Sequence, residues 1–300
     1  MPAQVPSPIK NIRLHLDLMK IPLSLLITIS AVFGFVLKKN AIDASIDATI
    51  LLTAVGVFLL ASGGAALNNY QDRNADRLMS RTKYRPLPSG ELAPGRARTL
   101  SVILIFSGLF SLYFINNNKI LFALGCAAVF LYNGIYTPLK SKLFFALIAG
   151  SLCGMIPPLI GWAAAGGDLF SIRIWIIMTL FGLWQLPHFW LIQLNHSADY
   201  QRFGVPSILR RFSTRQVEKI VFIWIVNFAV MLLSVPVLRP GTGQLIGWLI
   251  ASTAISLVIA AFIHIFLSGG GRDYHRLFTH LNGSFFFVMI TVIYDSFISA

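Results

Sequence analysis

Acidic residues are scarce in this chain: eleven Asp and Glu in 300 residues, against twenty-four Lys and Arg. Charged residues of both signs reach only 12%, while hydrophobic residues make up 56%. Soluble domains typically carry about a quarter charged residues, so a water-facing globular surface is excluded. Cysteine is rarer still. Cys126 and Cys153 both fall in apolar runs, at a spacing that fits neither a zinc pattern nor a disulfide framework. Both are expected to be small packing residues. The chain also lacks room for a separate soluble domain. Its longest polar segments, about 68–98 and 195–219, are loop-sized. Residues 1–20 mix polar and apolar side chains and run into a stretch of spanning length. No cleavable leader is expected there, and no mitochondrial-type extension.

What the chain has in abundance is apolar runs long enough to cross a bilayer. Nine are read, at roughly 21–37, 49–67, 99–116, 120–135, 143–164, 172–194, 220–237, 243–267 and 281–299. The expected fold is an all-α polytopic membrane protein, a single domain over 1–300 in a lipid bilayer. The net charge of +13 would suit nucleic acid, but its distribution argues against that partner. With nine spans and a cytoplasmic N-terminal segment 1–20, only Lys38, Lys39, Lys119, Arg173 and Arg239 lie outside. The other nineteen of the twenty-four cations lie inside, as the positive-inside rule requires. No nucleic-acid role is expected, and both long polar segments face the cytoplasm.

Two of the eleven acidic residues stand four apart directly behind an apolar run, in Asn68-Asn69-Tyr70-Gln71-Asp72-Arg73-Asn74-Ala75-Asp76. On a helix, Asn68, Asp72 and Asp76 fall within an arc of roughly 80°. Oxygen ligands aimed one way at a membrane surface suit a hard divalent cation such as Mg²⁺, which is held by one or two carboxylates plus substrate phosphates. The residues also permit a solvated loop whose aspartates pair with Arg73 and Arg77. A shorter echo, Asn195-x-x-x-Asp199, follows four spans later and suggests a second helix end delivering Asn and Asp to the same site. Gly150-x-x-x-Gly154 permits close helix approach. Pro157-Pro158 and Pro187 fit either kinked helices or a cavity lining.

The continuation Arg81-Thr82-x-x-Arg85-Pro86-Leu87 makes the first acidic segment resemble the aspartate-rich motif of the UbiA superfamily of intramembrane prenyltransferases. Within it, the chain is most similar to the protohaem IX farnesyltransferases, also called haem O synthases. Asn68-Asn69-Tyr70, Met79-x-Arg81-Thr82, Tyr136-Thr137, Pro157-Pro158-Leu159-Ile160-Gly161-Trp162 and Trp184-Gln185-x-Pro187-His188-Phe189-Trp190 carry that similarity, with Asp199-Tyr200, Gly204 and Pro206. It covers about 20–210. The chain departs from the pattern after Tyr136-Thr137, with Pro138-Leu139-Lys140-Ser141-Lys142, and after Pro206, with Ser207-Ile208-Leu209.

The resemblance implies nine helices around a central cavity, farnesyl diphosphate as donor and the vinyl group of haem B as acceptor. Haem O and diphosphate would be the products, Mg²⁺ the cofactor, and a downstream haem-modifying enzyme a possible partner. The implied location is a bacterial cytoplasmic (inner) membrane. Asp72, Asp76 and Asp199 are the implied catalytic and metal-binding carboxylates, with Asn68 and Asn195 assisting. Arg81, Lys83, Arg85, Tyr136 and Lys140 would contact the diphosphate, and His188, Trp184 and Trp190 would line the haem pocket. Charge arithmetic agrees. A prenyl diphosphate at about −3, three carboxylates and two Mg²⁺ leave about −2 for Arg and Lys to offset. A histidine about 9 Å inside its span, as His188 is, is on position alone more often a hydrogen-bonded packing group than a haem contact. A quinone-ring or lipid-alcohol acceptor remains an alternative in the same class, and a secondary transporter an alternative outside it. Transporters, however, hold their coupling charges near the bilayer midplane.

Overall fold

The computed structural model describes residues 8–39, 48–115, 118–143, 145–202, 206–238, 243–268 and 273–298. The side chain of Lys10, together with Gly204, Arg239 and Arg272 of the sequence reading, lies outside them. Among the described residues, nine helices are long and apolar enough to cross a membrane. A short amphipathic helix, α1 (Pro8–Met19), precedes them. The nine are α2 (Ile21–Lys38), α3 (Ala48–Asp76), α4 (Pro94–Tyr113), α5 (Lys119–Leu139), α6 (Ala146–Ala164), α7 (Ile172–Asn195), α8 (Thr214–Leu238), α9 (Gln244–Leu267) and α10 (Tyr274–Ile298). Each packs against its neighbour in sequence, and α10 returns to α2, so the helices close into a ring. Contacts of α2 with α6, and of α7 with α10, cross its interior.

Local sequence explains several boundaries. Asn118 caps α5, its side chain accepting from the backbone N–H groups of Ile120 and Leu121. Ser213 and Gln216 form a capping box, so α8 begins at Thr214 rather than near 220. At 29 residues α3 exceeds the roughly 20 that a bilayer requires, and its polar end projects about 13 Å further. Residues 68–76 are therefore helix; the polar loop begins only after Asp76.

Glycine sets the closest crossing. A Cβ on Gly161 of α6 would lie 1.8 Å from the Ala31 carbonyl oxygen of α2, and one on Gly34 would lie 2.0 Å from that of Pro158. Here Pro157 and Pro158 sit inside a continuous helix pressed against a neighbour. The two largest buried clusters are one spanning α7–α10 with Phe33 and Trp162, and a smaller one among α2–α6. Outward-facing Phe106, Phe110, Phe130, Trp248 and Ile255 give the ring an apolar rim suited to lipid. Near the end of α10, Asp295 is buried.

Candidate active site

The acidic motif occupies the last turns of α3, where the 3.6-residue period brings Asn68, Asp72 and Asp76 onto one side. Asn68 is the hub. Its Nδ2 donates to Asp72 Oδ2 at 2.8 Å and to Thr137 Oγ1 at 3.0 Å, while its Oδ1 accepts from Lys20 Nζ at 3.1 Å. Asp72 is also paired with Lys140, at the end of α5. Asp76 is buried and accepts from Arg85 at 2.8 Å, and Thr82 donates to its backbone carbonyl at 3.0 Å. The pairing of the aspartates with Arg73 and Arg77 does not occur. Arg73 donates to Tyr70 O and stacks on the Tyr70 ring; Arg77 donates to Pro88 O. The loop after α3 thus curls back to return Arg85 to its own helix.

The second segment differs from the first. Asn195 ends α7, His196 leaves helical geometry, and Asp199 lies on a separate short helix, Ser197–Arg202. The echo in spacing is therefore not an echo in geometry, and Asn195 makes no side-chain hydrogen bond among the described residues. Asp199 nevertheless reaches the first loop, accepting a short hydrogen bond from Ser80 Oγ. Arg81, next to it, lies within electrostatic reach of Tyr136, Tyr200 and His196. It holds the His196 pKa below its ordinary value together with desolvation, the larger cause, while burial raises that of Tyr200. Lys83 stays apart, exposed and stacked on the Tyr84 ring.

Residues 130–136 of α5 form a π-helical turn, in which Thr137 Oγ1 donates to Tyr132 O at 2.8 Å. The widened turn carries Asn133, bonded to Gly64 O and Gln71, and delivers Thr137 to Asn68. It also starts a row of rings. Tyr132 stacks on Tyr136 at 5.8 Å, Tyr136 lies 6.1 Å from Phe189, and Phe189 stands edge-on to His188 at 5.5 Å. His188 continues to Trp184 at 5.0 Å and Phe278 at 4.8 Å. Lys140 sits over the Tyr136 face, so the row runs from the carboxylates into the membrane. Gly150 gives way to the Tyr136 ring, and Gly154 to Gln185, whose Nε2 would lie 1.4 Å from a Cβ there. Trp162 is buried and bonded to Asp168 O, and Trp190 packs edge-on to Trp224, so neither stands at the row.

Lys20 was read from sequence only as a topology charge. It takes a left-handed backbone (φ 49°) at the junction of α1 and α2, a conformation few non-glycine residues adopt. Burial, then the charges of Arg85 and Lys140, pull its pKa down to about 7, against the opposing pull of Asp72 and Asp76. Only the unusual backbone marks it, and backbone is invisible in sequence.

No three His, Cys, Asp or Glu gather at metal-binding distance among the described residues. Asn68, Asp72 and Asp76 are oxygen donors of the kind a hard cation takes together with phosphate and water.

Residues 26–290 match the UbiA prenyltransferase family. A protoheme IX farnesyltransferase of Geobacter sulfurreducens is 42% identical over 194 residues, 65% of this chain and 70% of that protein. One from Oleidesulfovibrio alaskensis is 30% identical over 282 residues, covering 92% and 93%. Among solved structures, a UbiA homologue from Archaeoglobus fulgidus bound to GPP and Mg²⁺ superposes with a TM-score of 0.73 at 16% identity, covering 95% of this chain and 99% of that one. A structure of digeranylgeranylglyceryl phosphate synthase superposes with a TM-score of 0.74 at 18% identity, covering 96% and 99%.

Proposed function

The chain belongs to the UbiA prenyltransferase family, and on that premise we propose how its residues carry out farnesyl transfer from farnesyl diphosphate to the vinyl group of haem B. The allylic C–O bond breaks and diphosphate leaves. The freed carbon bonds to the terminal vinyl carbon, and one water adds its hydroxyl to the neighbouring carbon and releases a proton, giving haem O. The observation that carries this reading is the row of rings linking the charged end of α3 to the surroundings of His188. It joins an anion-handling site to an apolar one within a single ring of helices.

Asp72 and Asp76, assisted by Asn68, would hold Mg²⁺, which supplies electrostatic stabilisation of the departing diphosphate. Asp199, tied through Ser80 to the same loop, closes the site from the opposite side. Arg81, Arg85, Lys140 and Lys20 meet the diphosphate. Arg85 and Lys140 are already poised on carboxylates and exchange them for phosphate oxygens. The faces of Tyr136 and Phe189 shield the allylic cation and spread its charge. Packed helices keep bulk water from it until the vinyl carbon arrives. We place the protein in a bacterial cytoplasmic membrane with its N-terminus inside, on the side where Lys and Arg concentrate.

Extraction and mass analysis of haem from cells expressing the full chain, with farnesyl diphosphate available, tests the reaction. Haem O is expected with the intact chain and should be lost in D72A. Its absence from the intact chain, or its full retention in D72A, would overturn the reading.

A further inference from the structure

His188 and Asn282 determine each other's chemistry. Asn282 lies on α10, ninety-four residues downstream and beyond the part of the sequence that carries the motifs. Its Nδ2 stands 2.6 Å from the Phe278 carbonyl oxygen. A carbonyl only accepts, so the amide nitrogen must face it, and the amide oxygen must then face His188. That oxygen lies 2.7 Å from His188 Nδ1. An amide oxygen also only accepts, so the proton sits on Nδ1. In the neutral ring the lone pair is therefore on Nε2.

Two further observations concern what that lone pair would meet. Nε2 makes no hydrogen bond among the described residues, although the ring is clamped by Trp184, Phe189 and Phe278. On the same helix, Trp184 Nε1 and Gln185 Oε1 are buried without a partner. Leaving such groups unpaired costs on the order of 1–3 kcal/mol each, and the cost is removed when a polar ligand arrives. An imidazole fixed by a hydrogen bond from its other nitrogen is the ordinary form of a metal-ligating histidine.

We propose that Asn282 is a positioning residue that fixes the tautomer and ring orientation of His188, so that His188 Nε2 ligates the iron of the haem substrate. The proposal rests on the reading of the protein as a haem farnesyltransferase. Ligation anchors the porphyrin at the inner end of the aromatic row, which directs one vinyl group toward the allylic carbon. Asn282 touches neither substrate. It acts through His188, and its own amide is locked by Phe278 O.

Resonance Raman spectroscopy of the full-length protein with ferrous haem B reads the iron–histidine stretch, which reports the hydrogen bond on Nδ1. The intact chain should show the band and H188A should lose it. In N282D, a stronger acceptor toward His188 that gives up the bond to Phe278 O, the band should rise. In N282L it should fall or vanish, with haem affinity about 10–100-fold weaker. Donor KM should be unchanged in both, which loss of general structure would not give. A missing band in the intact chain overturns the proposal, as does a band unmoved in N282D. If N282L does not fold, N282D alone decides. Haem O formation is measured in parallel. An intact chain that makes haem O without the band refutes ligation alone, whereas one that makes no haem O refutes the reaction.

Discussion

Asp72 and Asp76 sit one helical turn apart, yet each is held by a cation from a different segment: Lys140 at the end of α5 and Arg85 in the loop after α3. Their spacing was legible because it is local. Their partners were not, since nothing in a sequence selects Lys140, sixty-eight residues away, or ranks Arg85 above Arg73 and Arg77. D72N keeps the size of the side chain and removes its charge; turnover to haem O should fall by about 10²–10³ at saturating Mg²⁺. Lys20 yields a pH prediction. Its pKa near 7 in the folded chain lies below the ordinary 10.5. Protonated Lys20 therefore penalises the fold fully below about 7, and the penalty fades as pH rises toward 10.5. An anionic donor prefers the protonated form, so binding takes up a proton. Donor KM should accordingly rise as pH climbs through and above 7. K20Q should flatten that limb, and a limb unchanged in K20Q would exclude Lys20 from donor binding.

At the level of elements, helix number and position followed from apolar runs, and the boundaries missed were those set by caps or by polar extensions. The π-helical turn at residues 130–136 left no periodic trace. In the structure it shows in the backbone N–H of Thr137, which donates to the Tyr132 carbonyl five residues back. The α2–α6 crossing depends on two glycines. G161A should lower the detergent unfolding temperature, since its Cβ has no space beside Ala31 O; overpacking of this kind costs about 1–3 kcal/mol. Near the start of α8, fully buried Glu218 accepts from Tyr274 of α10 at 2.6 Å and from Arg215, which also donates to Ile265 O of α9. Y274F removes a hydrogen bond to a buried carboxylate. It should destabilise the protein by about 1.5–3 kcal/mol in denaturation assays, while leaving donor KM unchanged.

For the whole molecule, an odd number of spans puts the chain ends on opposite sides of the bilayer. The concentration of Lys and Arg in alternate connections is what supports the proposed cytoplasmic N-terminus. Reporter fusions at each end should show a cytoplasmic N-terminus and an external C-terminus; the reverse pattern would invert every assignment of donor access. Closure of the ring through α10 and α2 lay beyond the sequence, because helix order does not state which ends meet. It is the separate crossing of α10 to α7 through the ring interior that brings Asn282 to His188.

The ion pairs at α3 have one more consequence. At the proposed site a lone magnesium ion would have to evict Lys140 or Arg85 and leave that cation stranded, while a lone diphosphate that captured them would strand two carboxylates. Only their joint arrival satisfies every charge at once. Titrations should therefore show each ligand binding weakly by itself and tightly with the other present, so that the resting protein neither hoards metal nor sequesters free pyrophosphate.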